Sequence, residues 1–207
     1  MNLENYYWYF KEAIPPRICD DIIKYGNDQT EGVGITFGYS NDPGNMTPNQ
    51  KKELEKKRKS NIVWMSYPWI YRELHPLLQE ANRNAGWNFQ WDWSESCQFT
   101  KYKLNQYYDW HTDAGEKPYN KPHDFNSHGK IRKLSMTISL VDGSEYEGGD
   151  FQLDFRNKEE NETHTVKHAR AKGSVIIFPS FVWHRVTPVT SGKRYSLVCW
   201  TLGWPYV

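Results

Sequence analysis

From Asn88 onward the chain reads as short alternating runs broken by turn formers, and this texture limits the possible folds more than any other feature. On a strand, neighbouring side chains point to opposite faces, while positions i and i+2 share one. Eight such runs are predicted, at 95–104, 107–111, 131–141, 150–155, 163–168, 174–178, 183–189 and 194–203. Many short strands separated by turn signals predict a barrel or a two-sheet jelly roll. The first 94 residues differ. RICDDIIKYG sets Ile18, Ile22 and Ile23 at helical spacing and ends on Gly26, which reads as a C-cap. A second helix is predicted from Pro68 to Ala85, with Ile70, Leu74, Leu77 and Leu78 on one face. Between them, residues 38–50 are turn formers and read as a surface loop, and KKELEKKRK (51–59) reads as a solvated helix or mobile loop. The expectation is a mainly β fold with flanking helices, in one domain over 1–207. A helical preface (1–94) would pack on one face of a β core (95–204).

Composition narrows the function. A chain of 207 residues can bury a sizeable core. Lys plus Arg is 26 against 25 acids, so a general electrostatic grip on nucleic acid is not expected. The three cysteines, Cys19, Cys97 and Cys199, are far apart and form no CxxC, which argues against a disulfide framework or structural zinc and for a reducing compartment. The start, MNLENYYWYFKEAIPP, does not read as a signal peptide, and no run reaches membrane-span length. A cytoplasmic protein is expected.

The chemistry begins at YYDWHTD (107–113). His111 and Asp113, spaced i, i+2 where a strand ends, can converge on one point. A metal needs a third ligand. His75 lies on the second helix, His123 and His128 lie in a polar loop, and His164 and His168 lie in a polar strand; surface roles suffice for all five. His184 follows the apolar run SVIIFPSFVW and best completes two histidines and a carboxylate. That set binds one face of Fe(II) and leaves positions open, although zinc accepts the same atoms. Arg194 follows across TSGK, a turn signal. A hairpin there would set Pro188 opposite Arg194 and His184 opposite Val198, with Ser196, Val198 and Trp200 facing inward. A guanidinium inside a barrel is costly unless it meets an anion, and its fork fits a carboxylate.

His111-x-Asp113, His184 and Arg194 together resemble the signature of the 2-oxoglutarate- and Fe(II)-dependent oxygenases, and within them the prolyl-4-hydroxylase-like branch with its bacterial and phage PKHD-type hydroxylases. GSVIIFPSFVWHRVTPVTSGKRYSLVCW (173–200) is similar to that group's last core strands, and EGGDFQL (147–153) to its acid-Gly-Gly turn. The resemblance covers about residues 95–204. It implies a double-stranded β-helix (jelly roll, cupin-like) with His111, Asp113 and His184 as iron ligands. Arg194 would pair with the distal carboxylate of 2-oxoglutarate, assisted by Tyr102. On strand parity, Ser135, Thr137 and Ser139 face the pocket, whereas Leu134, Met136, Ile138 and Leu140 face the helices. Thr137 and Ser139 are further candidates for cofactor contact, and Trp200, Trp110 and Trp183 for pocket walls. The carboxylate at Asp113 implies hydroxylation rather than halogenation. The implied cofactors are Fe(II), 2-oxoglutarate and O2, with ascorbate in support. A peptide, with prolyl as the target, is the expected substrate, and the stretches 38–60 and 114–130 would close over it. The same chemistry on a free small molecule, or on nucleic acid gripped by 51–59 and Lys117–Lys133, remains open, as does a non-catalytic metal-binding barrel.

Overall fold

The structure, a computed structural model, describes residues 5–34, 46–156 and 163–206. The first part of the chain carries β1 (Trp8–Phe10), α1 (Pro16–Asn27), β2 (Gly32–Val33), α2 (Pro48–Lys57), β3 (Arg58–Lys59), β4 (Asn61–Met65), α3 (Pro68–Asn84) and β5 (Trp93–Ser94). Then follow β6 (Cys97–Tyr102), β7 (Tyr107–His111), β8 (Ile131–Ser139), β9 (Tyr146–Gly148), β10 (Phe151–Asp154) and β11 (His164–Thr165). The chain ends with β12 (Val175–Pro179), β13 (Trp183–Val186), β14 (Val189–Gly192) and β15 (Arg194–Gly203). Antiparallel pairing gathers these into a larger sheet, β1-β12-β8-β15-β6-β4-β2 with β5 beside β15, and a smaller one, β11-β10-β13-β7-β3. A two-stranded ribbon, β14-β9, stands apart. This is the mainly β, jelly-roll architecture expected of a double-stranded β-helix.

Strand parity explains why the larger sheet is sandwiched. Leu134, Met136 and Ile138 of β8, and Leu140 just after it, are fully buried against Ile22, Ile70, Leu74 and Leu78 of α1 and α3. Ser135 and Thr137 point the other way, toward the smaller sheet. A second apolar cluster, including Phe151, Leu153, Ile176, Phe178 and Val186, fills part of the space between the sheets. Each helix has a local reason to form. Pro16 and Pro68 stand in the first turns of α1 and α3, where a missing N–H costs nothing. In α3, Ile70, Leu74, Leu78 and Ala81 make one buried stripe.

Four expectations need correction. The helical preface also contributes strands: β1 to β5 all precede residue 95 and extend both sheets. They span two to five residues, too few for an alternation signal to stand out. The loop read over 38–50 is cut short by α2, which a reciprocal Thr47–Gln50 capping box starts; positions 38–45 lie outside the described residues. The hairpin joining 184 to 194 does not form. β13 pairs with β10 and β7, β15 pairs with β6, β8 and β5, and the expected turn is instead β14, which pairs with β9. Finally, Gly26 is inside α1, and the cap is Asp28.

Residues 114–130 form no helix or strand, yet they are fastened. Tyr119 and the Gly129–Lys130 backbone exchange hydrogen bonds at 2.9 Å, and the Tyr119 hydroxyl reaches Glu95. All three cysteines are buried and free. No helix among the described residues is long and apolar enough to cross a membrane.

Gly26 has a packing role. A Cβ there would meet the Phe99 ring at 2.2 Å, because α1 lies directly on β6. Gly26→Ala is expected to destabilise by about 1–3 kcal/mol through overpacking. At Gly32 a Cβ meets nothing nearer than 3.8 Å, so Gly32→Ala should stay within about 0.5 kcal/mol. Denaturant melts of both variants check the contrast; equal losses would disprove the packing role.

Candidate active site

The site is built where β7 meets β13. Their register sets His184 directly opposite His111. It slips at once: Val186 pairs with Tyr108, so two steps on β13 face three on β7. Such a bulge puts Tyr108 and His111 on one face, and their rings stack at 3.4 Å and 11°. Asp113 lies beyond the end of the strand. Its convergence with His111 comes from the turn, where the Asp113 and Ala114 N–H groups both donate to the Ser180 carbonyl at 2.9 and 2.8 Å. The Ser135 hydroxyl then donates to Asp113 Oδ2 at 2.7 Å, and the Ser180 hydroxyl lies 2.9 Å from that of Ser135.

His111, Asp113 and His184 each offer a ligand atom within 4.8 Å of the others. His111 Nδ1 lies 2.7 Å from the Asp109 carbonyl and His184 Nδ1 lies 3.0 Å from that of Val182. A carbonyl only accepts, so both Nδ1 atoms carry a proton and both Nε2 atoms are left on the side of the carboxylate. The Nε2–Oδ separations, 3.8 Å for His111 and 3.4 Å for His184, are too long for hydrogen bonds. Two imidazole nitrogens and a carboxylate that converge in this way can hold a cation between them, and two imidazoles with one carboxylate suit Fe(II). Burial pushes the His111 imidazole well below its ordinary pKa, with His184 adding to the effect and Asp113 opposing it. Burial would raise the Asp113 carboxyl, but His184, His111 and Arg132 outweigh it and hold it at about 2. The buried Trp200 indole N–H, which lacks a full hydrogen bond, leans toward Asp113 and adds to that stabilisation.

Beside these three residues, β6 and β15 supply Gln98, Thr100, Tyr102, Arg194, Ser196, Val198 and Trp200, while Phe178 of β12 and Phe151 and Val186 of the smaller sheet add apolar lining. Arg194 is opposite Tyr102 in the β15–β6 register and its guanidinium lies 5.3 Å from the Tyr102 ring centre. It is 2 % exposed, and its Nη1 donates to Ser196 at 3.2 Å. No carboxylate among the described residues pairs with it. A buried guanidinium in that state favours an anion that the described residues do not supply.

The fold thus gathers His111, Asp113, His184, Arg194, Tyr102, Thr137 and Trp200 around one pocket. Ser139 is not part of its lining; its hydroxyl donates to the Val141 carbonyl. Trp110 and Trp183 are not walls either, and lie under the guanidinium groups of Arg185 and Arg156. Ser196, Val198 and Trp200 do face inward, through pairing with β6 and β8 rather than the hairpin. His75 is half-buried against Ser94 instead of being a surface group, and burial lowers its pKa. Arg58 was hidden in the basic run 51–59. It is buried in the pocket wall, bonded to Ser60 and Gln98, with its guanidinium 4.4 Å from the Tyr108 ring centre. The signal for it lay in the alternation of Ser60, Ile62 and Trp64 just beyond.

Two imidazoles and one carboxylate inside a jelly roll, beside a buried arginine with no acidic partner among the described residues, form a candidate mononuclear metal centre with a candidate anion pocket. The family model of the 2OG-Fe(II) oxygenase superfamily matches residues 97–202, and the chain belongs to that family. A PKHD-type hydroxylase of Alteromonas mediterranea is 33 % identical over 103 residues, covering 49 % of this chain and 41 % of the relative. The chain thus spans about two fifths of the length of the curated relatives it matches. Two solved structures share the fold. A viral collagen prolyl hydroxylase of Paramecium bursaria Chlorella virus-1, in complex with 2OG, aligns over 97 % of both chains at 19 % identity and a TM-score of 0.63. A Trichoplax adhaerens prolyl hydroxylase with a hypoxia inducible factor peptide aligns over 96 % of this chain and 84 % of that one, at 15 % identity and a TM-score of 0.65.

Ser135→Ala removes the hydroxyl that orients Asp113. Outer-shell losses of this type cost on the order of tenfold in metal affinity. Co(II) titration should show that loss with an unchanged circular dichroism spectrum. Affinity equal to the parent's would mean that the turn at Ser180 alone orients the carboxylate.

Proposed function

We propose that this protein is a non-haem Fe(II) dioxygenase that couples oxidative decarboxylation of 2-oxoglutarate to hydroxylation of a peptide, with a prolyl residue as the target. The observation that carries the reading is Arg194, buried without an acidic partner among the described residues, in the same pocket as His111, Asp113 and His184. Family membership supports the cofactor pair, and the names of the relatives support hydroxylation. The peptide-bound neighbour supports a peptide over a free small molecule.

The residues divide the work. His111, Asp113 and His184 would hold Fe(II), which supplies oxygen activation and the decarboxylation of 2-oxoglutarate. Arg194, with Ser196 and Tyr102, would hold the distal carboxylate through charge-assisted hydrogen bonds. Thr137 and Trp200 line the same pocket. Phe151, Phe178 and Val186 add apolar lining and keep water from the reacting centre. The aspartate at 113 occupies a ligand position, which favours hydroxylation over halogenation.

Anaerobically loaded protein tests the assignment. His111→Ala and Asp113→Ala should abolish 2-oxoglutarate decarboxylation while circular dichroism stays that of the parent. Arg194→Ala should raise the KM for 2-oxoglutarate by on the order of 10–100-fold, as expected for lost hydrogen bonds to a charge. Incubation with a proline-containing peptide library should yield products heavier by one oxygen atom. Full decarboxylation by both ligand variants would refute the metal assignment. A product that is a nucleotide would refute the peptide but leave the pocket chemistry standing.

A further inference from the structure

Arg170 lies outside the pocket, at the end of a 3-10 turn spanning Lys167–Arg170. Its guanidinium bonds four acceptors. Nη1 donates to the Gly148 carbonyl at 2.9 Å and to Asp150 Oδ1 at 2.8 Å. Nη2 donates to the carbonyls of Gly143 and Tyr146 at 2.9 and 2.7 Å. The cation also lies 4.4 Å from the Tyr146 ring centre. One side chain therefore holds the backbone of the whole 143–148 segment, including β9. Only a planar fork can satisfy acceptors in these directions at once.

β9 is the sole partner of β14 among the described strands, with Val189 opposite Gly148, Ser191 opposite Glu147 and Gly192 opposite Tyr146. β14 ends one residue before the Lys193–Arg194 step into β15. The contact is close on both sides. A Cβ on Gly148 would meet the Pro188 carbonyl at 2.2 Å, and one on Gly192 would meet that of Glu145 at 2.1 Å. Gly149, with φ at +61°, has its α-carbon packed over the Arg194 stem, so that a Cβ would lie 3.0 Å from Arg194 Cδ. The route from Arg170 to Arg194 is thus one short ribbon and one glycine.

We propose that Arg170 is a positioning residue for Arg194: it fixes the β9–β14 ribbon and the Gly148–Gly149 turn that aim the Arg194 guanidinium into the pocket. This rests on the reading of Arg194 as the anchor of the distal carboxylate. The metal ligands hang on β7, β13 and the Ser180 turn, which the ribbon does not form. Loss of Arg170 therefore weakens the carboxylate end of the co-substrate site and spares the metal.

The test uses the full chain loaded with Co(II) without oxygen, titrated with 2-oxoglutarate and, separately, with pyruvate. Pyruvate keeps the keto acid end and lacks the distal carboxylate, so a general structural defect affects both ligands alike. Arg170→Lys should weaken 2-oxoglutarate by on the order of tenfold, as for other lost outer-shell partners. Pyruvate and Co(II) affinities should stay at parent values. Asp150→Asn, which removes the carboxylate that holds Arg170 Nη1, should shift the same ratio, and it carries the test if Arg170→Lys fails to fold. An unchanged ratio of 2-oxoglutarate to pyruvate affinity in the folded variant overturns the proposal. Arg194→Lys separates the two levels. If it lowers the ratio and Arg170→Lys does not, the positioning role alone is wrong; if it leaves the ratio unchanged, the anchor reading fails and the positioning role with it.

Discussion

The register that sets His184 opposite His111 is the constraint on which the rest of the site depends. Two imidazoles on facing strands of one sheet are held at a ring separation of 4.1 Å by the backbone ladder itself. Side-chain packing then only has to orient them. The carbonyls of Asp109 and Val182 do so, because each takes the Nδ1 proton of the histidine two residues on. A carboxylate placed beyond the strand end completes the set, held by Ser180 and Ser135. The candidate ligand set is therefore preorganised, by buried Val182, Ser180 and Ser135 and by the exposed Asp109 carbonyl, and little rearrangement would be left for a metal to impose.

The two faces of the larger sheet divide the labour between stability and chemistry. Its outer face is apolar and lies against α1 and α3, which supplies most of the buried hydrocarbon. Its inner face carries Gln98, Thr100, Ser135, Ser196 and Arg194, groups that a core alone would not choose. Such polarity persists only where each group has a partner or awaits a ligand. Half-buried Arg132 meets Glu95; of the two buried guanidinium groups, Arg58 is held by Ser60 and Gln98 and Arg194 by Ser196 alone among the described residues. The side chain with the fewest donors used is the one best placed to bind a ligand.

Much of this was legible in the chain. The β texture after Asn88, the parity of 131–141, the His111–Asp113 pair, and His184 after an apolar run are local patterns, and the site residues they indicated, Ser139 excepted, are gathered at one pocket. The misses are equally physical. Strands of two or three residues, such as β2, β3 and β5, owe their existence to a neighbouring edge rather than to their own propensity. Thr47–Gln50 looks like a turn because capping residues and turn residues are the same types. The supposed hairpin at 184–194 failed because TSGK is consistent with a turn but cannot reveal that its flank pairs with β9.

The sequence by itself determined which residue types could do the chemistry and which face of each strand they occupy, since a period of two needs no tertiary information. Tertiary structure decided who stands opposite whom. The bulge that stacks Tyr108 on His111, the Ser180 turn that brings Asp113 back, and the burial of Arg58 all depend on pairing between segments far apart in the chain. Pairing register is set by the packing of whole sheets, and a one-residue slip would turn every side chain to the other face. No single segment contains that information, which is why Arg194 was found facing the pocket for a reason other than the one its neighbours suggested.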